Sequence, residues 1–381
     1  MTEVELPSDR VKKYLQNISP QARKNLLAEI ERMQMYGETM PGADALLEQL
    51  RAEFRGSGET HDRVGNPSRH FFQAIEALFV NRPAERTNPG QISRGSLSPI
   101  WEWISNDLLR TMTRDYSEKV KDALIKGDAP RARTIARDFQ SKVLKSLEGT
   151  LDTDDGVRRA RSALAQYTAS QAAFEDLRKI MAALRARDAL EKLERALPLK
   201  IDELHGKVLA NVCGFLDAFA AEQGSGALPF AQAVVARHLK MRWQLVRLAT
   251  STAQGRGVAA IAASRFAMSV TLVLDHLDDL RLGLKQALRS DRLQLAKQNL
   301  ADIYEIETAL RAEIGHLETS DWGRALDGLM AQVAADLDAE FHRLPEGTQH
   351  VLGSLHRHGA QGGLLVLMRR GRDALRSLVT H

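Results

Sequence analysis

Three aspartates, Asp275, Asp278 and Asp279, stand three and four residues apart, a spacing that brings their carboxylates to one side of a helix. Clustered carboxylates are what a hard divalent cation needs, and Mg²⁺ held this way can carry a diphosphate. The sequence offers no second Asp-rich helix to face them. Arg281 follows Asp278 by three residues, so a solvated, salt-bridged helix face accounts for the same pattern. A metal-dependent all-α enzyme built on this cluster is one of three functional readings.

The other chemistry-bearing residues form weaker patterns. His61-Asp62 lies in a polar stretch with no histidine upstream. His350, His356 and His358 have no nearby cysteine or carboxylate with ligand spacing. Cys213 sits between Val212 and Phe215 on an apolar helical face, where a small core residue is the expected role. Neither a phosphate-binding glycine loop, a nucleophile elbow nor an H-E-x-x-H motif is present. No cofactor is implied, and the balance is against an enzyme.

Two features point to surfaces instead. In Pro99-Ile-Trp-Glu-Trp, Trp101 and Trp103 are two residues apart, so on a helix they face nearly opposite sides. One can enter a core while the other meets a second helix layer or a partner. Tryptophan is enriched at binding hot spots, which makes this pair the interface candidate. Near the chain's end, Leu364, Leu367, Met368, Leu375, Leu378 and Val379 share one helical face. Arg369, Arg370, Arg372 and Arg376 populate the other face. A basic amphipathic helix of this kind caps its own bundle, docks into a groove, or lies on an anionic membrane.

The elements that must position these residues are helical. Asn66-Pro67 and Ser98-Pro99 place a capping residue before proline at helix starts. Ile135, Phe139, Val143 and Leu147 follow a helical period, as do Leu300, Ile303, Leu310 and Ile314. No period-two run bounded by hairpin turns is found. The expected fold is all-α, a multi-helix bundle of antiparallel helical hairpins. The tract 157–197 has no Pro and no Gly, so one long helix or a bundle-spanning pair is expected there. Its near-heptad spacing also admits self-association. The Ala-rich stretch Val258–Leu274, with Arg265 in its middle, reads as a buried helix rather than a membrane span. Residues 81–99 read as a long loop that must be either packed into order or functional. Boundaries near 60 and 150 divide the chain into an N-terminal helical segment, a segment containing that loop, and a main bundle over 151–381.

Composition narrows the class. A chain of 381 residues that is 44% hydrophobic can bury a large core, and its single cysteine excludes a disulfide scaffold. The N-terminus carries no apolar secretory segment, so a cytoplasmic location is expected. The net charge of +4 hides segregation: residues 301–350 sum to −8, whereas 251–300 and 351–381 sum to +3 and +4. Nucleic acid is not the expected partner. Arg131, Arg133, Arg137, Lys142 and Lys145 form a basic helix, but without the interleaved aromatic residues that stack on bases. The leading expectation is a non-catalytic helical scaffold or regulatory protein that contacts an unidentified protein partner through Trp101 and Trp103. A peripheral membrane protein using the C-terminal arginines is the alternative.

Overall fold

The computed structural model describes residues 66–290 and 292–341. The chain divides into two compact units, Met1–Gly65 and Asn66–His381, and the described residues belong to the second. His61-Asp62, the C-terminal histidines and Arg369, Arg370, Arg372 and Arg376 lie outside the described residues.

The described chain is all-α, apart from two strands of two residues each. Helix α1 spans Pro67–Phe72, and Asn66 caps it by accepting a 3.0 Å hydrogen bond from the Ser68 amide. A 3-10 turn leads into strand β1 (Phe79–Val80), which pairs in parallel with β2 (Ile92–Ser93). Helix α2 (Leu97–Trp103) starts two residues before Pro99, the first helical position the Ser98-Pro99 signal predicts, so Pro99 lies inside its first turn. Next come α3 (Arg110–Ile125) and α4 (Ala129–Leu151), which pack on each other. The turn between them uses Gly127 at φ +71°, and Asp128 caps α4.

The one long helix or bundle-spanning pair expected over 157–197 is replaced by three helices: α5 (Asp154–Leu164), α6 (Ala173–Arg185) and α7 (Arg187–Ala196). The first break has a local cause. Thr168 Oγ1 accepts from the Ser170 amide and Ser170 Oγ donates to Glu85, contacts that compete with helix continuation. The second break is a kink at Ala186 (φ −84°, ψ 1°).

Helices α8 (Gly206–Gln223), α9 (Leu228–His238), α10 (Val246–Thr252) and α11 (Val258–Ala262) follow. The stretch 258–274 is therefore not one helix. It turns after Ala262, and α12 (Met268–Arg289) begins beyond. The turn places Arg265 at the surface, where it pairs with Asp217 at 3.0 Å and covers the buried Phe266 ring. Helices α13 (Leu293–Glu313) and α14 (Asp321–Phe341) pack on α12 or on its neighbours, and both α13 and α14 touch α12 directly. Part of the acidic block finds its counter-charges inside the fold. Asp336 and Glu340 of α14 accept from Arg281, Lys285 and Arg289 of α12 at 2.5–2.8 Å. Among the described residues, no helix is long and apolar enough to cross a membrane.

The core runs from Phe71 to Val333 without interruption at position 150. Both tryptophans face it. Trp103 is 3% exposed, so it cannot serve as a free interface anchor. Trp101 is half-buried, with its ring centroid 5.4–6.4 Å from those of Phe71, Phe72, Tyr116 and Phe139. The reason is that Trp101 packs among rings from α1, α3 and α4 while α2 also packs on α5, so opposite faces of one short helix both meet protein.

Candidate binding cavity beneath a polar strap

Residues 81–96, all but the last three of the long loop expected over 81–99, form a strap closed at its base by the β1–β2 pair and tied down by two carboxylates, while 97–99 belong to α2. The first is Asp275 on α12. Arg82, at the start of the strap, is buried and reaches all three clustered aspartates. Its Nη1 donates to Asp275 Oδ1 at 2.7 Å and its Nε to Asp279 Oδ1 at 3.0 Å; Nη2 lies 3.6 Å from Asp278 Oδ2. Nη2 also donates to the Asp275 carbonyl. The second oxygen of Asp275 accepts from Asn88 Nδ2 at 2.6 Å and from Gln91 Nε2 at 2.7 Å. Asp278 bonds on its other side to Arg281 at 2.9 Å.

The position a metal ion would take is thus filled by a guanidinium group of this chain, as the salt-bridged reading of the cluster allows, with Arg82 joining all three carboxylates beside the expected Arg281–Asp278 pair. The physical reason is that three crowded carboxylates repel one another until a cation sits among them, and a planar five-donor fork fits several at once. Burial alone would lower the pKa of Arg82. The charges of Asp279, Asp275 and Asp278 more than offset this, and the net shift is upward.

The second anchor is Asp176 on α6, which is 0% exposed. It accepts from the Ser93 amide (3.0 Å), Ser96 Oγ (2.7 Å), Thr87 Oγ1 (3.3 Å) and Lys179 Nζ (3.2 Å). At the strap's tip Gly90 has φ +86°, and a Cβ there would lie 2.4 Å from the Pro229 carbonyl oxygen in the first turn of α9. Gly90→Ala combines a left-handed backbone with this clash and is expected to cost about 2 kcal/mol. A shifted urea midpoint at unchanged slope would show it; a variant as stable as the parent would mean that the strap does not need this seat.

Between the strap, α9, the 3-10 turn Arg242–Leu245 and α12 lies a cavity of about 230 Å³. Part of its wall is apolar, from Leu78, Phe79, Leu245, Leu272 and Val273. Its polar lining includes Arg94, Arg237, Arg242, His276 and the carboxylates Asp275 and Asp279. Asp279 is open to solvent through the cavity yet surrounded by protein; this enclosure raises its pKa, against the lowering effect of Arg82. Arg242 Nη1 is 3.3 Å from His276 Nδ1. Burial, reinforced by the charges of Arg242 and Arg82, drives the His276 pKa down to about 3, so the imidazole is neutral at pH 7. With Nδ1 accepting from Arg242, its proton resides on Nε2.

Of the candidate residues read from the sequence, the structure brings Asp275, Asp278 and Asp279 together and gives them to Arg82. It does not bring Trp101 or Trp103 to this cavity. Cys213 is partly buried, and burial raises its thiol pKa, as suits a packing role. Sequence reasoning missed Arg82, Asn88, Gln91 and Asp176. A signal for Asp176 was present, since it shares the period of Ile180 and Ala183 on an otherwise apolar helix side. No protein-family model, curated protein or solved structure matches the chain.

Proposed function

We propose that the protein is a non-catalytic helical protein of the regulatory or scaffold kind, which works by binding, and that the cavity beneath the strap holds its ligand. The observation that carries this reading is the commitment of the carboxylates. Acid–base or metal chemistry needs carboxylate oxygens free to move a proton or accept a cation. Both oxygens of Asp275 are instead engaged by Arg82, Asn88 and Gln91, while the adjoining cavity stays open. Concave, partly apolar spaces with a few convergent polar groups are the usual form of a small-molecule site. In this reading the helices form antiparallel hairpins, which the short connections Lys126–Asp128 and Gly224–Ala227 favour. The output is contact with another protein.

A thermal-shift panel of anionic, neutral and cationic small metabolites tests the cavity. One class is expected to stabilise the protein, by about 2.7 kcal/mol at a hundredfold excess over its Kd. Ala236→Trp, which fills the cavity from α9, is expected to remove that response while leaving the ligand-free melting transition cooperative. If no class stabilises the protein, or if the filled variant responds like the parent, the cavity is not the binding site.

A further inference from the structure

We infer that the cavity takes a small phosphomonoester, its phosphate held at the mouth by Arg94, Arg237 and Arg242 and its compact apolar body against Leu245, Leu272 and Val273. The inference rests on the proposed binding role of the cavity and gives its ligand a chemical class.

Charge is the first argument. Among the described residues, none of these three arginines has a carboxylate within salt-bridge distance. Arg94 covers the Phe79 ring, Arg242 lies against the neutral His276 and within the field of Asp279, and all three are exposed residues lining the cavity. The two carboxylates in the lining, Asp275 and Asp279, are bound from behind by Arg82. Asp278, which Arg82 also approaches, is paired with Arg281, so Arg82, Arg94, Arg237 and Arg242 stand against Asp275 and Asp279, an excess of two positive charges. A phosphomonoester carries close to two negative charges at pH 7, whereas a carboxylate carries one.

The surrounding electrostatics agree. The positive potential that depresses His276 comes from Arg242 and Arg82, and Arg237 in turn acts unfavourably on Arg242. Asp279 offsets part of that repulsion, and a dianion among the guanidinium groups would relieve more of it.

Geometry and size supply the rest. Guanidinium forks match phosphate oxygens in bidentate fashion, and three of them suit the three terminal oxygens of a monoester better than the two of a carboxylate. The volume of about 230 Å³ lies below the range of roughly 300–1,000 Å³ that accepts drug-sized ligands, so the ester is small. The apolar wall favours an organic ester over the free inorganic ion.

Isothermal titration calorimetry on the full chain tests this, with phenyl phosphate as the probe and inorganic phosphate, benzoate and phenol as comparisons. Phenyl phosphate is expected to bind at least tenfold more tightly than inorganic phosphate or benzoate, and phenol not measurably. Arg237→Gln and Arg242→Gln should each weaken it tenfold or more, while Arg133→Gln on α4 should leave it unchanged. Circular dichroism confirms that each variant is folded, and Arg94→Gln replaces any that is not. The inference falls if phenyl phosphate does not bind, if inorganic phosphate binds as tightly, or if the arginine variants bind like the parent. Should phenyl phosphate fail while another class stabilises the parent but not Ala236→Trp, the ligand class is wrong and the cavity's role stands. Should Ala236→Trp block nothing, both fall.

Discussion

Replacing Arg82 with alanine is expected to destabilise the folded chain by about 3–5 kcal/mol, the cost of leaving buried carboxylates without their cation. The burden falls unevenly. The Arg82 and Asp275 side chains are 6% and 12% exposed, so their attraction is little screened and its loss is felt in full. Asp279 is 41% exposed toward the cavity, where water takes over part of the lost interaction. Arg82→Lys should recover little, because a point charge cannot donate to Asp275 and Asp279 together.

The loss should also carry a pH signature. The pKa of Asp279 is already raised in the folded chain by burial, and Arg82 is what holds it down. Without Arg82 the folded-state pKa rises further above the unfolded value. A raised carboxylate pKa means that the folded state binds the extra proton, so stability falls as pH rises through the folded pKa and is recovered as pH falls. The gap between parent and variant should therefore narrow from pH 7 toward about pH 4, where unfolded aspartate titrates. Urea denaturation at several pH values measures both effects. A pH-independent gap, or none, would show that water rather than Arg82 satisfies the cluster.

Asp176→Ala should cost a similar amount, about 3–5 kcal/mol, for a different reason. Here one carboxylate serves four donors from two places in the chain. Lys179 is 20% exposed and can turn toward water after the substitution. The Ser93 amide and Ser96 hydroxyl belong to buried residues and have no such escape, and each unmet donor costs about 1–3 kcal/mol. Asp176→Asn keeps the shape but turns an amide N–H toward these donors, so an intermediate loss is expected. Hydrogen exchange gives the second readout: amides of residues 87–96 should exchange faster in Asp176→Ala, while those of α3 and α4 change only with global stability. Unchanged protection over 87–96 would mean that the Asp275 anchor and β1–β2 pairing hold the strap without Asp176.

Much of the secondary structure was legible because it depends on neighbours in the chain. Asn66-Pro67 and Asp128-Ala-Pro130 announce helix starts through caps that act over two or three residues. Ile135, Phe139, Val143 and Leu147 reveal their helix through period alone, and three of the four are fully buried. The tract 157–197 misled because absence of Pro and Gly permits a helix without requiring one. Thr168 and Ser170 redirect the chain, and one of their partners, Glu85, is more than eighty residues away.

The site was half legible. The spacing of Asp275, Asp278 and Asp279 shows that they share a face, but a cation for that face can be a metal ion or an arginine from anywhere in the chain. Arg82 lies 193 residues before Asp275, beyond the reach of any local pattern. The tryptophans make the same point: two residues apart means opposite faces, and only the packing of distant helices decides whether each face meets water.

By itself, then, the amino-acid sequence determined the helical class, several helix starts and the common face of three aspartates. All of these follow from backbone geometry and interactions within a few residues. Tertiary structure decided that Arg82 fills the acidic cluster, that a polar strap is pinned at both anchors, and that three arginines with no carboxylate at salt-bridge distance among the described residues open onto one cavity. These depend on which distant surfaces come together, and charges or burial acquire their energetic meaning only once that packing has excluded water.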